Sequence, residues 1–140
     1  MNDLGDRIAA RPDHGGVLLV PCQINTSCRY WLLADTGAAL TVLSPRVADE
    51  VGLDAGRPPR YEQITSVHRT QRAPVVRLDR LQVGRHWATD VEALVLALPH
   101  SLRIDGLLGV NFLRRFRPTF EYDTATLVLR AHRAGSRSAS

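Results

Sequence analysis

The sequence is poor in the features that mark several large classes of protein. Its 140 residues include no lysine, only two cysteines, and no apolar run near the roughly 18 uncharged residues that a membrane span requires. Metal-binding spacings such as H-E-x-x-H and C-x2-C are absent, as are the serine-hydrolase pattern G-x-S-x-G and the phosphate-loop pattern G-x-x-x-x-G-K. We therefore predict a protein with no metal, no cofactor and no membrane segment.

The cysteines and the chain ends carry little further information. Cys22 and Cys28 could meet across a hairpin, but two cysteines make no disulfide framework, and we favour two reduced thiols over a bridge. Residues 1–14 mix acidic and basic side chains and lack the apolar core of a secretory signal, so we expect a cytoplasmic protein. We predict that 1–14 and 132–140 are flexible and flank one domain at 15–131.

All 18 basic residues are arginines, and the formal net charge is +4. Such a balance attracts anionic partners weakly, through a long-range field. The arginines are scattered and lack the aromatic interleaving of single-strand binders, which favours a solvated surface over a nucleic-acid site. The densest group, Arg114, Arg115 and Arg117, follows an apolar segment, where it would supply favourable charge near a helix C-terminus.

Many short apolar segments predict a mainly-β protein. Strands are predicted at Val17–Ile24, Arg29–Ala34, Leu40–Leu43, Tyr61–Val67, Val75–Val83, Trp87–Leu98, Phe120–Tyr122 and Leu127–Leu129. Ser44 as N-cap and Pro45 at the first helical position begin one short helix, which ends at Gly52, and a second helical pattern covers Val110–Phe116. We predict a single domain with one or two short helices and a closed or nearly closed barrel.

One tripeptide, Asp35-Thr36-Gly37, is a candidate for chemistry. An apolar strand precedes it, and Ala38, another apolar strand and the capped helix follow, so the carboxylate would lie at a strand end inside a packed loop. About seventy residues later the run Leu107-Leu108-Gly109 is of a type that could cross beneath that loop. The alternative for an isolated Asp-Thr-Gly is an Asx turn that closes a hairpin.

In this order of elements the chain resembles the retropepsin-type aspartic proteases, the single-lobed relatives of pepsin that include retroviral proteases and a bacterial group. The resemblance covers Gly16–Arg130: hairpin, Asp-Thr-Gly-Ala, capped helix, flap hairpin, apolar-apolar-Gly run, helix and final hairpin. It implies an acid-protease closed β-barrel and an aspartic endopeptidase in which two aspartates share a proton and activate a water molecule.

Several residue roles follow from the resemblance. Because the chain has one Asp-Thr-Gly, the second catalytic Asp35 would come from another copy in a homodimer. Thr36 would tie the two loops together, Gly37 would allow close approach to the substrate, and Ala38 would fill a small position beside it.

The resemblance also assigns the flap and part of the cleft. Ser66–Thr70 would be the flap tip, so that Val67 and His68 contact the polypeptide substrate and Leu107 edges the cleft. The alternative for His68 is an exposed loop residue without a role in binding. We interpret Asp105 as a turn residue, and Asn111 stands where bacterial relatives have an acid.

Two further hypotheses stay open at this point. The first is a retropepsin-like dimerisation or peptide-binding module without physiological proteolysis. The second is an arginine-mediated nucleic-acid binder, whose affinity would fall steeply with salt.

Overall fold

The computed structural model describes residues 5–65 and 67–132, apart from the side chain of His14. These residues form the strands β1 (Asp6–Ala9), β2 (Arg11–Pro12), β3 (Leu18–Ile24), β4 (Arg29–Ala34), β5 (Thr41–Leu43), β6 (Arg60–Thr65), β7 (Thr70–Val83), β8 (His86–Val95), β9 (Gly106–Leu108), β10 (Arg117–Glu121) and β11 (Thr126–Arg130). The helices are α1 (Pro45–Val51) and α2 (Val110–Leu113), with short 3-10 turns at His14–Gly16 and His100–Leu102. The predicted mainly-β class is confirmed.

Six strands close into a barrel in the order β3-β4-β9-β5-β8-β7. The ring closes where β7 returns to β3, with Gln23 opposite Gln82 and Ile24 opposite Leu81. Two of the pairings, β4 with β9 and β5 with β8, are parallel, whereas β9 runs antiparallel to β5 between them. The predicted closed barrel is therefore confirmed, and a second sheet of order β1-β11-β10 packs beside it.

The barrel interior holds the main core. Alternate residues of the strands point inwards, as the period of two requires, and the fully buried side chains include Leu32, Leu78 and Leu108. Phe112 from α2 is also fully buried, so the short second helix contributes one of the largest side chains in this core.

Helix α1 begins and ends where the sequence predicts. The Ser44 hydroxyl accepts a hydrogen bond from the backbone N–H of Val47 at 3.2 Å, and Pro45 occupies the first turn. Gly52 ends the helix with φ +86°, a left-handed conformation that glycine adopts without strain. Val47 and Ala48 are buried in the core cluster, so the helix packs one face against the barrel.

The part of the N-terminal segment that the structure describes, residues 5–14, includes two short strands, where the sequence analysis predicts a flexible segment. Strand β1 pairs with β11, and Ile8 lies opposite Leu127 and inserts into the core with 6% of its surface exposed. Strand β2 pairs with β3. No alternation of apolar and polar residues indicates β1 in the sequence, because this strand buries only Ile8. Residues 1–4 and 133–140, predicted to be flexible, lie outside the described residues.

The two thiols are not bonded to each other. Cys22 is buried in the barrel and Cys28 is exposed in the β3–β4 turn region. Burial raises the pKa of the Cys22 thiol, which keeps it protonated and unreactive. Within the described residues, no helix is long and apolar enough to cross a membrane.

Candidate active site

Asp35 lies immediately after β4, at the edge of the barrel. Its backbone N–H donates to the carbonyl of Leu108 at 3.0 Å, which joins the ends of β4 and β9. Its side chain forms an Asx turn, because Oδ1 accepts a hydrogen bond from the backbone N–H of Gly37 at 2.9 Å. The side chain is half-exposed, and Oδ2 accepts no hydrogen bond within residues 5–65 and 67–132. The turn therefore fixes Oδ1 and leaves Oδ2 accessible at the edge of the barrel.

The loop that carries Asp35 rests on the segment that follows β9. Backbone N–H groups of Val110 and Asn111 donate to the carbonyls of Ala38 at 2.8 Å and Ala39 at 3.1 Å. Gly109 lies so close beneath the loop that a Cβ there would be 2.6 Å from the carbonyl carbon of Leu40. Only glycine fits at this position. The sequence analysis expects a crossing beneath the loop from the apolar-apolar-Gly run, without this restriction.

A buried polar bracket fixes the far end of the same loop. The Thr41 side chain is fully buried, and its hydroxyl donates to Asn111 Oδ1 at 3.0 Å and accepts from the Gly109 N–H at 3.1 Å. Asn111 Oδ1 also accepts from the Thr41 N–H at 2.9 Å, and its Nδ2 donates to the carbonyl of Glu92 at 2.8 Å. Every polar atom of the bracket is thereby satisfied, as burial requires.

Sequence reasoning missed Thr41 altogether. The available signal was a threonine in an otherwise apolar strand that directly follows the motif, where a buried hydroxyl needs a partner. That partner lies seventy residues away in sequence, so no local pattern identifies it.

An apolar floor borders the Asp35 loop on the outer face of the barrel. Leu33 lies opposite Leu107, which in turn lies opposite Val42, and paired residues share a face. The floor continues into a second apolar cluster separate from the barrel core. This cluster consists of Leu40, Val42, Ile64, Ala73, Val75, Leu94, Leu96, Leu98 and Leu107.

The β6–β7 hairpin projects from the barrel at this cluster. Its pairing runs from Arg60 opposite Val75 to Thr65 opposite Thr70, so β6 ends two residues before the predicted Val67 and β7 begins five residues before the predicted Val75. At the tip, Val67 is 95% exposed. Hereafter the term flap hairpin means residues 60–74, apart from Ser66, which lies outside the described residues.

The structure brings together five of the seven predicted site residues, Asp35, Thr36, Gly37, Ala38 and Leu107. Thr36 and Gly37 are exposed, whereas Ala38 and Leu107 are half-buried. The other two, Val67 and His68, are exposed at the hairpin tip and do not pack on the Asp35 loop.

Charged groups near the site are paired on the barrel surface. Asp105, interpreted as a turn residue, precedes β9 at the end opposite to Leu108, where it accepts from the Trp31 N–H at 2.9 Å and pairs with Arg46 at 2.5 Å. The guanidinium of Arg60 on β6 forms hydrogen bonds to Glu92 on β8 and holds the pKa of that carboxyl below its ordinary value.

No three histidine, cysteine or acidic side chains of the described part of the chain cluster closely enough to hold a metal ion.

Comparisons with known proteins agree with this geometry. The sequence profile of a family described as aspartyl protease matches residues 20–112. The crystal structure of a retropepsin-like aspartic protease from Rickettsia conorii is similar, with a TM-score of 0.68 and 22% sequence identity over 90% of this chain and 89% of that one. The retroviral protease-like domain of Ddi1 from Leishmania major matches with a TM-score of 0.51 and 18% identity over 81% of this chain and 87% of that one. No curated protein matches the sequence significantly.

Proposed function

The chain belongs to the aspartyl protease family, and from that premise we propose that it hydrolyses peptide bonds as a homodimer, with one Asp35 carboxylate from each copy acting on a water molecule. The observation that carries this proposal is the Asp35 side chain, held by the Gly37 N–H through Oδ1 with Oδ2 open at the barrel edge. A carboxylate used only to close a turn would have no need of the buried bracket and the glycine crossing beneath it.

A second copy is needed because the chain supplies one such carboxylate. Across a twofold axis the same loop would meet itself, so that the two Asp35 side chains face each other. Two carboxylates at such a short separation cannot both carry charge without a large electrostatic cost, so the pair retains one proton. The site would then hold one base and one acid, and its pH dependence would belong to the pair.

The reaction uses both forms. The ionised Asp35 takes a proton from the water molecule, and the water oxygen bonds to the carbonyl carbon of the scissile peptide. The C–N bond then breaks as the other Asp35 gives its proton to the departing nitrogen. The products are a carboxyl and an amino terminus, and the site returns to one shared proton.

The neighbouring residues are assigned supporting roles. The exposed Thr36 hydroxyl would bond across the dimer axis and fix the spacing of the two loops. Gly37 is exposed beside Asp35 and would let a substrate backbone approach closely, and Ala38 would line the cleft with a small side chain.

The substrate would lie as an extended strand between the Asp35 loops and the flap hairpins. Leu107 and the apolar cluster around it form a floor for apolar substrate side chains. Val67 and His68 at the exposed tip would fold over the peptide and shelter the water.

The test is digestion of a broad peptide library by the purified protein from acidic to neutral pH, with Asp35→Asn as the matched variant. Because this change keeps the size and the Gly37 bond of the side chain, the variant should fold and dimerise but make no cuts. Cleavage retained by Asp35→Asn would refute the assignment. Peptide binding without cleavage by the wild type would favour a binding module instead.

A further inference from the structure

Strand β8 has a kink that helix α2 and the residues after it hold in place. Asp90 has φ +53°, and the pairing with β7 passes from Val91 to Thr89 without including it. The carbonyls of Thr89 and Asp90 instead accept hydrogen bonds from the guanidinium of Arg115, at 2.6 and 3.3 Å. A non-glycine residue in the left-handed region is uncommon and persists where neighbouring contacts determine it.

Two residues beyond the kink, Glu92 is held through its backbone. Its carbonyl accepts from Asn111 Nδ2 at 2.8 Å, and the same amide holds the Asp35 loop through Thr41. The backbone position of Glu92 is therefore fixed relative to the loop that carries Asp35.

The side chain of Glu92 reaches the base of the flap hairpin. Its two oxygens accept from Arg60 Nη2 at 2.7 Å and from Arg60 Nε at 3.3 Å, a two-point contact with the first residue of β6. Arg60 Nη1 also pairs with Glu62 Oε2, two residues further along the same strand, at 2.7 Å. Arg60 lies opposite Val75, where the hairpin leaves the barrel. The contact is thus at the point about which the flap hairpin would move.

We propose that Glu92 is a positioning residue that sets the flap hairpin relative to the Asp35 loop. One end of this residue is tied to the loop through Asn111, and the other is tied to the hairpin through Arg60. The inference rests on the proposed function, in which the hairpin folds over the substrate. An ion pair whose two side chains are 41% and 34% exposed adds little to global stability, but at a hinge it biases a local opening equilibrium by up to about fivefold.

The test compares Glu92→Gln with Glu121→Gln. Glu121 pairs with Arg7 at 2.6 Å, and its side chain is 34% exposed, as is that of Glu92, so the two variants remove the same charge from similar pairs. Glu121 lies on β10, away from the hairpin. Glu92→Gln keeps the backbone carbonyl that Asn111 binds, so the fold of the loop is preserved.

Amide hydrogen exchange of residues 60–74 gives a readout that does not depend on catalysis. We expect exchange there to be about two- to fivefold faster in Glu92→Gln and unchanged in Glu121→Gln. A double variant with Arg60→Gln should be no faster than Arg60→Gln alone, because that single change already removes the contact with Glu92. Equal exchange in Glu92→Gln and wild type would overturn the proposal.

Steady-state kinetics separates positioning from general damage. Glu92→Gln should raise KM about two- to fivefold with kcat nearly unchanged, whereas partial unfolding would lower kcat through loss of active enzyme. An unchanged KM, or a fall in kcat alone, would contradict the positioning role. If the wild type cleaves nothing, the protease assignment fails while the exchange data still decide whether Glu92 holds the hairpin.

Discussion

Asn111 Oδ1 accepts two hydrogen bonds from one residue, from the Thr41 N–H at 2.9 Å and from the Thr41 hydroxyl at 3.0 Å. The Nδ2 of the same side chain donates to the carbonyl of Glu92. An ionised carboxylate could accept the first two bonds but has no proton for the third. The loop that carries Asp35 therefore depends on an amide at position 111.

Replacing Asn111 with Asp should lower the free energy of unfolding by about 1–3 kcal/mol at neutral pH, because a charged oxygen would face the Glu92 carbonyl without a donor. The difference from wild type should shrink in acid, where the new carboxyl takes up a proton and can donate it. Urea denaturation at several pH values measures this. The matched control is Asn25→Asp, since Asn25 Oδ1 accepts from the Arg80 N–H at 3.1 Å while its Nδ2 donates to no group among the described residues. An Asn111→Asp variant as stable as this control would contradict the prediction.

Gly109→Ala should disrupt the crossing beneath the Asp35 loop. Its Cβ would lie 2.6 Å from the Leu40 carbonyl carbon and 2.7 Å from the Thr41 nitrogen, and backbone cannot move aside as a side chain can. We expect a loss of about 1–3 kcal/mol in unfolding free energy, together with loss of peptide cleavage. Gly56→Ala is the control, because its Cβ would meet only the Asp54 side chain at 3.4 Å. Equal thermal stability of the two variants would show that the crossing has room.

Tyr30 should make the fold sensitive to alkali. Burial, and next the hydrogen bond to Glu50, raise the pKa of Tyr30 from 10.0 to about 12. The unfolded chain therefore loses this proton at a lower pH than the folded one. The free energy of unfolding should fall as pH rises through the window from 10.0 to about 12.

Tyr30→Phe should lose less stability over that window than wild type does, as followed by the urea midpoint. Tyr61→Phe makes the same chemical change at a side chain that is 48% exposed. Tyr61→Phe should lose as much stability over that pH window as wild type does. An alkaline loss of the same size in Tyr30→Phe and wild type would assign the effect to other groups.

Mixing subunits tests whether catalysis needs two Asp35 residues. If wild type and Asp35→Asn exchange freely at equal concentrations, random pairing leaves about one quarter of the dimers with two carboxylates. Cleavage per total protein should then fall to about one quarter of that of pure wild type. Dilution with buffer at the same ratio provides the reference. A fall to about one half would mean that each chain works alone.

The parts of the fold that local chemistry decides could be predicted from the sequence. The Ser44 cap, Pro45 and the Gly52 terminus each act within one turn of helix, and they placed α1 correctly. The position of Asp35 at a strand end also follows from short-range pattern, because an apolar strand precedes a tight turn.

The hydrogen bonds between Thr41 and Asn111, and those of Arg115 to β8, join residues that no local sequence pattern relates. Thr41 meets Asn111 only because β5 and α2 converge after the barrel has closed. The sequence pattern assigns Arg115 to favourable charge near a helix end, whereas in the structure it donates to the carbonyls of Thr89 and Asp90. A side chain's long-range partner is decided by the tertiary fold, which is why these roles emerged only from the structure.

The antiparallel contact between β1 and β11 has a consequence for biosynthesis. Asp6 pairs with Leu129, so during synthesis β1 must wait until the much later strand β11 has left the ribosome before it has a partner. Contacts between such distant positions are slow to form because the intervening loop must first close. During translation Ile8 would therefore remain an exposed apolar side chain until β11 has emerged, and the nascent chain would be open to chaperones over that interval.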